Sequence, residues 1–138
     1  MNPKVLVETG FMIALNPKDK YHRWALKILE AAKSRDIVLY VSPVAPIELS
    51  LVMRAHGLGD KEVQEALKAI DNIVTRYSKP RYPPLGLKEL AYAAELRLKY
   101  HELTFFDSIH AAIAILNDLI YYDLDETVKS IIAKERKK

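Results

Sequence analysis

The chain has 138 residues, 50% hydrophobic and 28% charged, with Gly 4 and Pro 7, so one globular domain over residues 1–138 is expected and a disordered or low-complexity chain is excluded. Its longest apolar run, residues 109–116, contains His110 and falls well short of the roughly 18 residues of a membrane span; no signal-peptide core follows Lys4, and a cytoplasmic protein without membrane contact is expected. Cys 0 excludes disulfides, thiolate catalysis and thiolate zinc sites, and of the formal net charge of +3, residues 129–138 hold +4 and the rest about −1.

In chain order, residues 4–7 (Lys-Val-Leu-Val) form a short β-branched and leucine run that fits a buried strand, and Thr9-Gly10 separates it from an apolar turn at residues 11–15. Asn16-Pro17 marks a loop. Trp24, Ile28, Leu29 and Ala32 recur at helical spacing within residues 22–34. Residues 37–41 again suit a buried strand. Ser42-Pro43 reads as an N-cap with proline at the first helical position, opening a helix that Gly57 ends. Asp60 caps a further helix to about Ile73. In residues 76–82, Arg76, Lys79 and Arg81 interleave with Tyr77 and Tyr82 and no acid; cations neutralise phosphates and flat rings stack on bases, so these cations are candidate contacts for single-stranded nucleic acid, the bland alternative being a solvated loop. Pro80, Pro83 and Pro84 break the chain. Residues 87–100 read as a helix, Thr104 opens an almost wholly apolar helix to Leu116, residues 119–122 form a third strand, and the basic residues 129–138 close the chain as a helix or tail. Strands alternating with helices imply an α/β fold, a three-layer sandwich with a mainly parallel central sheet.

Ligands of open parallel sheets gather beyond the carboxyl ends of the strands, and four acids map there. Glu8 follows the first strand and Asp123 the third; Glu48 lies in the helix after the second strand, and Asp107 in the first turn of the apolar helix. Glu48 shares its helical face with Val44, Leu51, Val52 and Ala55, and Asp107 is surrounded in sequence by Phe106, Ile109 and alanines. A buried unpaired carboxylate must neutralise, pair or bind a metal. Each acid taken singly also fits a helix-start or salt-bridged carboxylate, but no basic residue flanks any of the four closely enough in sequence to be an obvious partner. Carboxylates without cations suit a hard divalent ion, and such ions hydrolyse phosphodiesters, so the residues themselves point to a metal-dependent nuclease or phosphatase. His110, three residues after Asp107, reads either as a satisfied core histidine or as a group that orients a carboxylate.

Val5-Leu6-Val7-Glu8-Thr9-Gly10-Phe11 resembles the opening of PIN domains, where a strand runs into an acid and a hydroxyl residue. Ser42-Pro43-Val44-Ala45-Pro46-Ile47-Glu48 resembles their second element, Thr104-Phe105-Phe106-Asp107-Ser108-Ile109-His110-Ala111-Ala112 the third, and Ile120-Tyr121-Tyr122-Asp123-Leu124-Asp125 the last. The resemblance spans residues 4 to about 130, and short chains of this kind are similar to VapC-like toxins of toxin–antitoxin pairs. It implies an endoribonuclease dependent on Mg²⁺ or Mn²⁺, an RNA substrate, a cognate antitoxin protein and a homodimer. Glu8, Glu48, Asp107 and Asp123 would form the acidic, metal-holding quartet, with Asp125 a supplement and Thr9 and His110 outside the ligand set. Two departures stand out: Glu8 is one methylene longer than the usual Asp, so its carboxylate must fold back or displace the metal, and Tyr121 replaces a small hydroxyl residue. They keep open an alternative, a catalytically impaired PIN-like module that binds RNA or protein.

Overall fold

The structure, a computed structural model, describes residues 2–138. The first strand, β1 (Lys4–Val7), is followed by α1 (Thr9–Ala14), α2 (His22–Lys33) and β2 (Val38–Val41); next come α3 (Ala45–Ala55), α4 (Asp60–Tyr77), α5 (Leu87–Lys99) and α6 (Phe105–Leu116), and the chain ends with β3 (Ile120–Tyr121) and α7 (Glu126–Arg136). The sheet is parallel throughout, with order β2-β1-β3 and pairings such as Val5 with Leu39 and Leu6 with Tyr121. The chain therefore leaves β1 towards β2 on one side and returns to β3 on the other. The central strand is the point at which the winding reverses, where a crevice opens beyond the strand ends.

Side chains alternate across each strand with a period of two, which divides the core into two layers. Val5, Val7, Leu39 and Val41 face Phe11, Ala25, Leu29 and Val74, contributed by α1, α2 and α4. Leu6 and Tyr121 face the other way, onto Ala93, Leu96, Ile109, Ile113, Ile131 and Ile132 of α5, α6 and α7. Glu8, two residues beyond Leu6, thereby points over the second layer. Residues Ser108 to Ala114 of α6 are all buried; each buried isoleucine contributes about 1.5–3 kcal/mol, and together they hold α6 firmly beneath the strand ends.

Several element boundaries differ from the sequence expectation, each for a visible reason. The apolar turn after β1 is a helical turn that starts at Thr9. Ser42 does not cap α3: its N–H donates to the Val7 carbonyl at 2.9 Å, continuing the sheet, and its hydroxyl is engaged elsewhere, so the helix starts later, with proline in its first turn. Gly59, not Asp60, is the N-cap of α4. That helix continues one turn past Ile73, because Val74 reaches the core, and ends at Ser78, ahead of Pro80. The third strand is shorter than expected, although Tyr122 N–H still reaches the Leu6 carbonyl at 2.9 Å. Arg81 pairs in parallel fashion with Tyr40, extending the sheet edge beside β2.

The basic C-terminal segment is docked. Val128, Ile131 and Ile132 of α7 are buried, and the Arg136 guanidinium donates to the carbonyls of Ala114, at 3.1 Å, and Leu119, where a cation also complements the helix dipole at the end of α6. Glu135, with only 4% of its side chain exposed, accepts hydroxyl hydrogens from Tyr100 at 2.7 Å and Tyr92 at 3.0 Å, and pairs with Lys138 at 3.0 Å. The Tyr100 hydroxyl, with help from Lys138 and Tyr92, holds this carboxyl down at about 2 against the opposing effect of its burial. A carboxyl lowered by folding stabilises the fold fully above its ordinary value of 4.5, and loses that contribution as pH falls towards 2. Glu135→Gln should therefore melt lower than wild type at neutral pH. A series of melts taken down to about pH 2 should show the gap closing, because wild type loses the contribution that the variant never had.

Candidate metal centre

Glu8 stands at the carboxyl end of β1 and is the N-cap of α1. Its side chain folds back so that Oε1 accepts the Gly10 N–H at 2.6 Å. It is only 7% exposed, and burial first, then the charge of Asp123 and a hydrogen bond shared with it, push the carboxyl up to about 9, although the Gly10 N–H pulls the other way. Two carboxyls this close cannot both stay ionised without a cation.

Glu48 is half-buried in the first turn of α3. Its Oε1 accepts hydrogen bonds from the Thr9 hydroxyl and from His110 Nε2, the latter at 2.8 Å. Burial works against its ionised form, but the hydrogen bonds from His110 and Thr9 and the imidazole charge prevail and leave the carboxyl below its ordinary value. His110 is fully buried. Its Nδ1 lies 2.7 Å from the Ser42 hydroxyl and its Nε2 3.8 Å from Glu8 Oε2. With Nε2–H donating to Glu48 and Nδ1 bonded to Ser42, both ring nitrogens are engaged. The imidazole is thus both a satisfied core histidine and a clamp on a carboxylate, and it has no lone pair free for a metal.

One ligand atom from each of Glu8, Glu48 and His110 falls within 4.8 Å of the others. Asp123 joins through Glu8. Asp107, half-buried in the first turn of α6, stands further back, its N–H donating to Thr104 Oγ1 at 3.2 Å. Asp125 is exposed and caps α7, accepting the Thr127 N–H at 2.8 Å. The charges of Glu8, Asp123, Asp107 and Asp125 are all felt at the Tyr121 hydroxyl, which is buried and has no hydrogen-bond partner. Among the described residues, no lysine or arginine forms an ion pair with any member of the quartet. Carboxylate oxygens gathered in this way, with an orphaned hydroxyl beside them, fit a hard divalent ion as a donor set. Arg76, Lys79 and Arg81 lie apart from it. All three are exposed, and Lys79 and Arg81 line a pocket with Arg35 and Val38 at the open edge of the sheet.

Ser42 and Gly10 belong to the site but are not among the residues that the sequence singles out as functional, and Tyr121 is noted there only as a departure from a small hydroxyl residue. The bond from Ser42 to His110 joins positions 68 apart, which no local spacing reveals. A glycine inside an apolar helical turn directly after an acid is the available signal for Gly10.

A parallel sheet covered by helices on both faces, with carboxylates meeting beyond its central strand, defines an α/β protein with an acidic site at the point where the winding reverses. The PIN domain family model matches residues 5–131, and the chain belongs to the PIN domain family. No curated protein matches it in sequence. Among solved structures, it is similar to Mycobacterium tuberculosis VapC20, a sarcin-ricin loop cleaving toxin, with 18% identity and a TM-score of 0.66 over 91% of this chain and 93% of that one; at this identity the likeness is one of fold. As a test of the orphaned hydroxyl, Tyr121→Phe should hold its melting temperature or gain stability by about 1 kcal/mol in the absence of divalent ions, since it removes a buried donor that makes no bond. A loss of stability in the melt would show that the hydroxyl has a partner within the fold.

Proposed function

We propose that the chain, as one PIN domain over its whole length, is an endoribonuclease of the VapC-like type, dependent on Mg²⁺ or Mn²⁺ and paired with a cognate antitoxin protein. The observation that supports this most is the convergence of Glu8, Glu48 and Asp123 beyond β1, where no lysine or arginine among the described residues pairs with them. Glu8, Glu48, Asp107 and Asp123 would hold the ion, with Asp125 as a supplement. Bound there, the ion would supply Lewis-acid activation of a water and neutralise the charge developing at the phosphate.

The chain's own residues set the geometry. His110 and Thr9 fix the orientation of Glu48 and keep it ionised, Ser42 fixes the imidazole, and burial of Glu8 keeps bulk water from its carboxyl. Arg76, Lys79 and Arg81 bind phosphates and so position RNA without reading its sequence; the pairing of Arg81 with β2 presents its guanidinium from an ordered edge. An open apolar groove of about 390 Å³ between α1, α3 and α4, lined by Met12, Ile13, Met53 and Ile70, supports a protein partner such as an antitoxin. A homodimer belongs to the same reading and rests on the family resemblance.

Glu48→Gln and Asp107→Asn should each lower Mn²⁺-dependent cleavage of single-stranded RNA by on the order of 100-fold. In wild type, Mn²⁺ at about 100 times its Kd should add about 2.7 kcal/mol of stability, and each variant should lose most of that gain in the melt. No stabilisation of wild type by Mn²⁺ overturns the metal site. Silence in both Mn²⁺ and Mg²⁺ with RNA binding retained would instead establish the binding module.

For the basic edge, replacing Arg76, Lys79 and Arg81 with Ala should weaken RNA binding. It should also flatten the log–log dependence of affinity on salt by about one unit for each phosphate that is no longer neutralised. An unchanged slope in a salt titration returns these residues to an ordinary solvated loop.

A further inference from the structure

Gly10 occupies the second residue of a helical turn, where glycine costs roughly 0.5–1 kcal/mol relative to alanine. Its φ lies outside the left-handed region, so the backbone does not require glycine there. Space does. A Cβ at position 10 would stand 2.7 Å from Glu8 Oε1 and 3.2 Å from Asp123 Oδ1, and the Gly10 N–H is itself the donor that holds Glu8 Oε1 at 2.6 Å. Because glutamate is one methylene longer than aspartate, its carboxyl must loop back over the start of α1 to reach the site, and the path of that loop crosses the face of residue 10.

We propose that Glu8 and Gly10 are a matched pair: Gly10 is a positioning residue whose missing side chain lets a glutamate take up the first acidic position of the site alongside Asp123. The colliding atom is the far end of a flexible side chain, so a methyl group at position 10 is relieved by swinging Glu8 away rather than by disturbing the fold. The cost falls on the site. A shorter acid at position 8 needs no such loop, and with it the 2.7 Å collision disappears, leaving only Asp123 Oδ1 at 3.2 Å, a side-chain atom that has to give by a few tenths of an ångström.

This inference rests on the acidic set being a divalent-ion site, and the test separates the two. Mn²⁺ affinity is measured by calorimetry on the whole chain, with metal-free melting temperatures alongside, for wild type, Gly10→Ala, Glu8→Asp and the double variant. Gly10→Ala should melt at or above wild type without ion, as glycine-to-alanine changes at compatible helical positions do, yet bind Mn²⁺ at least about tenfold more weakly, the scale of a disturbed ligand environment. In the Glu8→Asp background, the same change should alter Mn²⁺ affinity by no more than about twofold, the scatter of independent sites. Equal loss in both backgrounds, or wild-type affinity in Gly10→Ala, overturns the pairing while the ion site stands. If Gly10→Ala unfolds, the double variant decides: folding with the Mn²⁺ affinity of Glu8→Asp supports the pairing, and unfolding with it overturns it. Absence of Mn²⁺ binding by wild type overturns the ion site itself, and the pairing with it.

Discussion

Carboxylates brought together beyond a buried strand repel one another, and the surroundings of the site are arranged to contain that repulsion. Removing a charge from water is costly, and placing a second like charge beside it costs more. The chain relieves this in two different ways. Glu48 is kept ionised by two donors, the His110 ring and the Thr9 hydroxyl. For Glu8, burial and Asp123 instead disfavour the charged form and raise the carboxyl, with one backbone N–H as a partial offset. The same acids thus differ in preparation: Glu48 is oriented by donors that favour its charged form, and Glu8 stands where the charged form is disfavoured.

The fold produces this arrangement from strand periodicity and topology. Since Leu6 faces the layer that contains α6, Glu8, two residues later, faces it too. The parallel register that sets Leu6 beside Tyr121 delivers Asp123 to the same end of the sheet two residues later. His110 reaches Glu48 because α6 is buried on almost every side and cannot slide or rotate without opening the core. Packing therefore supplies the precision of the site, and the polar groups add only local adjustments. Away from it, α7 is fastened by Arg136 and Glu135, contacts that add stability where the acids subtract it.

What can be read from the sequence follows the range of each signal. The strand at residues 4–7, the capping of α6 by Thr104 and the helix ending at residue 99 or 100 are local and all legible. The acids at the strand ends are legible as candidates, because position after a strand and absence of nearby cations are also local features. The Ser42 hydroxyl reads wrongly as a helix cap, since Ser-Pro is a sound local signature and only the distant His110 competes for it. His110 itself admits two readings, and the structure unites them: a satisfied core histidine whose satisfaction comes from a site carboxylate. Asp125 reads from the sequence only as a supplement to the acidic set, and its part as the exposed cap of α7, accepting the Thr127 N–H, is not anticipated there.

The unequal preparation of the two glutamates gives the departure from aspartate at position 8 a physical meaning. On the ion-holding reading, Glu48 would serve as a ligand with little rearrangement of its bonds, whereas Glu8, whose charged form burial and Asp123 disfavour, would carry a cost of ionisation, since metal ligands bind deprotonated. Lengthening an acid while burying it adds to that cost, and fixing Oε1 on the Gly10 N–H reduces it, because a donor to the charged form favours that form. The glutamate is therefore accommodated within the fold by a backbone donor and a missing Cβ at one residue. The length of the first acid and the size of the residue two positions later have to be read together.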